Sequence, residues 1–280
     1  MQLSLLDQFL PQADVAFGNN RRHDLSRGAW VDYVPEWCRG HQALLQLLIA
    51  TADWELHKRR MYGREVEVPR LVAGLVGSGS PLGFADGSVT YLRSRAKPKE
   101  RERARGILLE LSQLLSERYG RKLNQITLGY YRDGRDSVAY HGDKLGALRA
   151  DTLVAIVSVG ARRKFLLRPS AASPAASAPR PAGVKSQSDH GCCFQPGEGD
   201  LLVMGGTCQE TWEHAVPKVQ HSGRGGARPR LPGDGSGARG RRGFPSVGCG
   251  ARIAIMFREP PRTRKLLARR SAGWGAVANY

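Results

Sequence analysis

The sequence predicts a mainly β protein of the α+β class, a sandwich or jelly roll with helices packed on one side. Two observations carry this. Short segments rich in β-branched and apolar residues, each bounded by Gly, Pro or Asp, fill the region from Leu123 to Phe257. Two stretches with helical spacing of leucines precede them.

Residues 1 to about 35 are mixed in character and are expected to be partly extended. From Trp37 to about Trp54, Leu44, Leu45, Leu47, Leu48 and Ile49 predict a helix with a broad apolar face. Residues 62–96 scatter Gly, Pro, Ser and basic residues between short apolar runs, the pattern of loops and hairpins. Pro98 suits a first helical turn, and Ile107, Leu108, Leu111, Leu114 and Leu115 give the second helix, to about Tyr119, its buried stripe. Strands are expected at Leu123–Tyr131, Thr152–Val159, Arg163–Arg168, Asp200–Met204, Thr211–Val216 and Arg252–Phe257. Two stretches interrupt them. Residues 170–190 are Pro/Ala/Ser-rich at their start, residues 220–250 are Gly/Arg/Pro-rich, and both are expected to be flexible inserts.

The net charge of +18 and pI near 10.3 favour a polyanionic partner, nucleic acid first, with a basic membrane-binding surface as the plainer competitor. No apolar run is long enough to span a bilayer, and the residues after Met1 lack a signal-peptide pattern, so a cytoplasmic protein is expected, taken as a monomer. The five cysteines (Cys38, Cys192, Cys193, Cys208 and Cys249) are odd in number and irregular in spacing. They predict free thiols in a reducing compartment, and without Cys-x-x-Cys they make a poor zinc site.

His141-Gly142-Asp143 is the most informative feature. It sits just after an expected strand, and His214 and then Arg252 and Arg258 follow on strands of their own. Two imidazoles and one carboxylate make the facial triad of non-heme Fe(II) oxygenases, which leaves coordination positions open for O2 chemistry. His141 and Asp143 are two apart, and Arg252 and Arg258 are an even number apart, so each pair shares one face of an extended strand. Taken singly, His214 reads first as a hydrogen-bonded core histidine, and Asp143 reads also as a turn or capping residue and Arg252 as a surface strand residue. The ordered combination favours the metal site.

The stretches Leu123–Asp143, Val157–Pro169, Gly199–Lys218 and Arg252–Arg258 resemble the AlkB family of Fe(II)/2-oxoglutarate-dependent dioxygenases, in the family's order. The resemblance covers about residue 60 to 258. It implies a double-stranded β-helix, a jelly-roll variant, with supporting N-terminal helices. On that basis the chain divides into an N-terminal extension and support helix (1–60), a dioxygenase domain with the two inserts (61–260) and a basic C-terminal tail (261–280). The family oxidises N-methyl groups off bases in alkylated nucleic acid, with Fe(II), 2-oxoglutarate and O2, releasing formaldehyde, succinate and CO2. The resemblance thus implies alkylated DNA or RNA as partner.

Carried over residue by residue, His141, Asp143 and His214 would hold iron, and Arg252 would pair with the distal carboxylate of 2-oxoglutarate. Tyr131 would reach the same carboxylate. Arg258 would lie near the metal-side carboxylate and the target base. The Val68-Pro69-Arg70 run and the glycine-rich stretch after it resemble a lid over the substrate strand. Gly129 and Ala254 stand where the family often has asparagines that touch the co-substrate, which puts its affinity in question. Tyr62, Phe84, Tyr91 and Tyr140 are candidates to stack on the base, each equally a core residue, and Arg70, Arg93, Arg95 and Lys97 are candidates for phosphate contacts as a group. Competing functions are another 2-oxoglutarate oxygenase acting on protein or a small molecule, a catalytically silent nucleic-acid-binding relative, and, last, a zinc hydrolase on the same ligands.

Overall fold

The computed structural model describes residues 11–61, 64–74, 89–143, 151–171, 191–219 and 250–260. The chain opens with β1 (Gln12–Ala13), β2 (Arg21–Asp24), β3 (Ala29–Val34) and β4 (Cys38–Arg39), then α1 (His41–Thr51). β5 (Trp54–Met61), β6 (Arg64–Glu67), β7 (Leu71–Gly74) and β8 (Val89–Leu92) precede α2 (Pro98–Tyr119). The rest is β9 (Gln125–Tyr131), β10 (Val138–His141), β11 (Val154–Gly160), β12 (Phe165–Pro169), β13 (Cys192–Phe194) and β14 (Asp200–Gly206). A short α3 (Cys208–Thr211), β15 (Trp212–Val216) and β16 (Arg252–Arg258) complete it.

The strands form a large antiparallel sheet in the order β2-β3-β14-β11-β16-β9-β7-β5-β6, with β8 also pairing β5, and a small one in the order β10-β15-β12-β13. β1 and β4 pair separately. Alternation along the large sheet gives each face its own core. Leu128, Tyr130, Val157, Val203, Ile253, Ile255 and Phe257 point to one side and pack with Leu44, Leu45 and Leu48 of α1 and Leu108, Leu111 and Leu115 of α2. Val154, Ile156, Tyr131, Leu202, Met204 and Ala254 point to the other side and meet Phe165, Leu167, Trp212 and Val216 of the small sheet. This is the expected jelly-roll arrangement, with both helices on one side.

α2 has the expected ends. Pro98 opens it, the Glu100 carboxylate accepts the Lys97 backbone N–H at 3.1 Å, and Gly120 closes it at φ +61°. The first helix is shorter than expected. Gly40, at φ +67°, starts it, Ala52 is already extended, and Trp37 and Trp54 flank it as buried anchors. The Trp54 indole donates to the Ile49 carbonyl at 3.2 Å, so the tryptophan expected at the end of the helix tethers that end from β5 instead. Within residues 62–96, expected as loops and hairpins without placed strands, residues 71–74 form β7 between β9 and β5 in the large sheet. Four residues bounded by Pro69 and Gly74 are too few for alternation to show. β10, with four residues, and β13, with three, are likewise shorter than most strands.

Cys38, Cys192, Cys193 and Cys208 are free thiols, as expected, and Cys249 lies outside the described residues. So do most of both inserts (172–190 and 220–249), the glycine-rich stretch 75–88 and the tail 261–280. Among the described residues no helix is long and apolar enough to cross a membrane.

Leu108 is fully buried between α2 and the sheet. Leu108→Ala is expected to lower the unfolding free energy by about 2–5 kcal/mol, measured by urea denaturation. A loss of only a few tenths would mean that the helix layer does not pack on the sheet as described.

Candidate metal centre

His141 closes β10, and β10 pairs with β15 so that His141 lies opposite His214. The imidazole centroids are 4.4 Å apart, and the His214 ring stacks on Phe165 at 5.2 Å. His141 Nδ1 faces the Ala139 and His214 carbonyls at 2.9 and 3.1 Å. Two acceptors there assign the proton to Nδ1 and leave the Nε2 lone pair free for a ligand. Asp143 follows two residues later. Ligand atoms of His141, Asp143 and His214 all lie within 4.8 Å of one another.

The two oxygens of Asp143 differ. Oδ1 accepts a 2.6 Å bond from Arg258 Nη2, whereas Oδ2 is buried and has no hydrogen-bond partner among the described residues. An orphaned carboxylate oxygen beside two imidazoles is a donor set that suits a divalent cation, since burial without a partner otherwise carries a large penalty. Arg258 is fixed in turn by Nη1 on Thr127 Oγ1 at 2.8 Å. Burial pushes the His214 imidazole down to about 3, with Asp143 opposing, and lowers His141 for the same reason. Burial also works against the Asp143 carboxylate, but Arg258 and the imidazoles outweigh it and hold the group down to about 2. Near neutral pH the trio is therefore two neutral imidazoles and one carboxylate, ready to bind a cation without releasing a proton.

On the same face of β16, one strand-length away, lies Arg252. Register sets Arg252 against Tyr131 of β9 and Gly160 of β11. Its guanidinium is 1% exposed as a residue and sits 5.3 Å above the Tyr131 ring. Nη2 donates to Ser158 Oγ at 2.8 Å, while Nε and Nη1 are buried without a hydrogen-bond acceptor among the described residues. Burial pushes its pKa down to about 10, so it stays charged at neutral pH. Among the described residues no carboxylate pairs with it. A buried, under-satisfied fork of donors is a seat for a planar anion. Gly129 and Ala254 are direct cross-strand partners between the Arg252 and Arg258 ends, and Met256 Cε lies 3.5 Å from where a Gly129 Cβ would stand. The floor between the two arginines is therefore apolar.

Other expected site residues are placed differently. Arg70 is half-buried, with Nη1 3.5 Å from the Tyr131 hydroxyl, so it belongs to the inner site and not with Arg93, Arg95 and Lys97. Those three are exposed on the segment before α2, where Arg93 pairs with Asp53 at 3.7 Å. Tyr140 alternates with His141 on β10, and the Arg168 guanidinium covers its ring at 3.8 Å, so it faces away from the histidines. Tyr62, Phe84 and the Tyr91 side chain lie outside the described residues.

Residue types alone do not single out Thr127, Ser158, Arg163 or Gln209. Ser158 carries a usable signal, as the one polar side chain on the site-facing parity of β11, whereas Thr127 shares its face of β9 with Gln125 and Tyr131. Arg163 donates to the carbonyls of Asp133, Asp136 and Pro217 at 2.7–2.9 Å and straps the loop after β9 to the end of β15. Gln209 accepts the Asp143 backbone N–H at 3.2 Å, a contact with no sequence signature.

The chain matches the family described as 2OG-Fe(II) oxygenase superfamily over residues 33–258. Alpha-ketoglutarate-dependent dioxygenase alkB homolog 3 of Rattus norvegicus is 31% identical over 143 residues, covering 49% of this chain and 44% of the relative. The Homo sapiens protein of the same name is also 31% identical over 143 residues, covering 49% and 45%. The chain thus spans just under half the length of these curated relatives. The solved structure of OsALKBH1 aligns with TM-score 0.42 at 13% identity, covering 85% of this chain and 100% of that one.

Sign and window of the pH dependence follow from the ligand set. His214 titrates near 3 when folded, against 6.5 for an ordinary histidine, so its contribution is complete above about 6.5 and is lost as pH falls toward 3. Asp143, near 2 against 3.8, contributes above 3.8 and loses that contribution as pH falls through 2. Urea melts of metal-free protein between about pH 7 and about pH 5 should show stability falling by up to about 1.4 kcal/mol per pH unit from His214. His214→Gln should remove that part of the slope, and an unaltered slope would contradict the neutral, buried assignment.

Proposed function

Because the chain belongs to the 2OG-Fe(II) oxygenase superfamily, we propose that it is an AlkB-type demethylase that oxidises N-alkyl groups off bases in DNA or RNA. Membership brings Fe(II), with 2-oxoglutarate and O2 as co-substrates. The observation that carries the reading is the His141, Asp143 and His214 cluster, carried by and just beyond the small sheet, across the interior from the large-sheet face that holds the buried, under-satisfied Arg252. Nucleic acid as the substrate class is supported by the net charge of +18 and by likeness to the AlkB homologues.

His141, Asp143 and His214 would hold the iron, which with 2-oxoglutarate and O2 supplies the oxidising power to hydroxylate an N-methyl group, so that formaldehyde, succinate and CO2 leave. Arg258 holds Asp143 Oδ1, so that Oδ2 is presented to the metal. The Nδ1–H bonds of His141 fix its ring, and Phe165 fixes that of His214. Arg252, with two donors free, would take the distal carboxylate of 2-oxoglutarate, with the Tyr131 hydroxyl and Arg70 beside it. Apolar Val154, Ile156, Leu167 and Phe165 line the interior and would keep water from the reacting atoms. A stacked base cannot enter such an interior. The target must be single-stranded or flipped out, which is easiest for a damaged base.

An N-methylated oligonucleotide tests this reading. The wild-type chain, supplied with Fe(II) and 2-oxoglutarate, should release formaldehyde from it. His141→Ala and Asp143→Ala should abolish release while leaving oligonucleotide affinity largely intact, since phosphate contacts dominate binding. Arg252→Ala should raise the KM for 2-oxoglutarate by about 10- to 100-fold, the worth of a charge-assisted pair, with little effect on oligonucleotide binding. Full turnover without His141 or Asp143 would refute the ligand set, and a loss of DNA affinity in Arg252→Ala would move Arg252 to the nucleic-acid face.

A further inference from the structure

We propose that Gln209 is a positioning residue that sets the metal carboxylate by holding the Asp143 backbone. The inference rests on the metal-centre assignment above. Asp143 lies beyond the end of β10, so no strand ladder fixes it. Among the described residues, two contacts locate it. Arg258 binds Oδ1 at 2.6 Å, and Gln209 Oε1 accepts the Asp143 N–H at 3.2 Å. The first fixes the side chain. The second fixes the height of the backbone from which that side chain reaches the site. A buried N–H left without an acceptor would be costly, so losing Gln209 should let this stretch shift toward other partners.

The amide is well placed for the task. Gln209 is 2% exposed and sits on α3, which runs directly into β15 and His214. Its Nε2 faces Met204 Sδ of β14 at 3.7 Å. The Asp143 N–H sets which way the amide faces, because a flipped group would set its NH2 against that N–H, and the Met204 contact is only compatible with this orientation. Gln209 therefore ties the residues carrying one ligand to the element carrying another, and anchors both on the large sheet. Partners that orient a ligand in this way commonly govern metal affinity.

The test is Mn(II) titration of the metal-free full chain, followed by electron paramagnetic resonance. Gln209→Met keeps the length and packing but replaces the oxygen by a poor acceptor, and it should weaken Mn(II) binding about 10- to 100-fold. Gln209→Glu keeps an acceptor oxygen and should retain wild-type affinity or exceed it. Met204→Leu removes the other partner of the amide and should leave affinity unchanged. Wild-type affinity in Gln209→Met, or equal losses in Gln209→Met and Met204→Leu, would overturn the proposal and leave only a packing role. Hydrogen exchange of the wild-type chain needs no variant to fold. The Asp143 amide should exchange slowly in metal-free protein, and exchange at the rate of an open amide would overturn the proposal. A wild-type chain that bound no Mn(II) would refute the metal-centre assignment itself.

Discussion

The site depends on the antiparallel register of β9, β16 and β11. Arg252 and Arg258 face the interior because Ile253, Ile255 and Phe257 face the helices. The side-chain period of a strand is two, so a slip of one residue would turn both guanidiniums into the helix layer and three large apolar side chains into the site. The hydrophobic layer beneath α1 and α2 therefore aims the arginines. The same pairing brings Tyr131 beside Arg252, and Thr127 within reach of Arg258. Core packing and site geometry are here one constraint with two faces.

Burial then makes the site reactive toward ligands. Asp143 Oδ2 and two donors of Arg252 lack partners inside a packed interior, which is unfavourable for the empty protein and is relieved by a cation and an anion respectively. The two deficits have opposite sign and face one interior from different sides, Asp143 from beyond the end of β10 and Arg252 from β16 of the large sheet. A metal chelated by a dicarboxylate answers both at once. Arg258 keeps the arrangement from collapsing, because it neutralises Asp143 through one oxygen only. Desolvation holds His214 neutral, so no proton competes for its lone pair near neutral pH.

Much of this was legible in the sequence, for identifiable reasons. α2 has a long leucine stripe, a proline at its start and a glycine just past its end, and its bounds match those expected. The central strands β9, β11, β14 and β16 of the large sheet show as largely apolar runs because both of their faces are covered. The order of His141, Asp143, His214 and Arg252 pointed to residues that the fold does bring to one interior. What failed was local. Trp37 and Trp54 extend the apolar pattern beyond α1, although Gly40 and the extended Ala52 end it. β7 is too short to show a period. Arg70 carries charge like its basic neighbours, yet tertiary packing turns it inward to Tyr131, and Tyr140 turns away under Arg168. Gln209 could not be found, since its role arises only where α3 meets the residue after Gly142.

The most direct test of the account is anaerobic loading of the chain with Fe(II) and 2-oxoglutarate, followed by O2 and a methylated oligonucleotide, with succinate and repaired base counted together. The account predicts that both appear in equal amounts. Succinate without repaired base would contradict the nucleic-acid substrate while leaving the oxygenase centre intact. Neither product from folded, iron-loaded protein would contradict the centre itself and leave a chain that binds nucleic acid without acting on it.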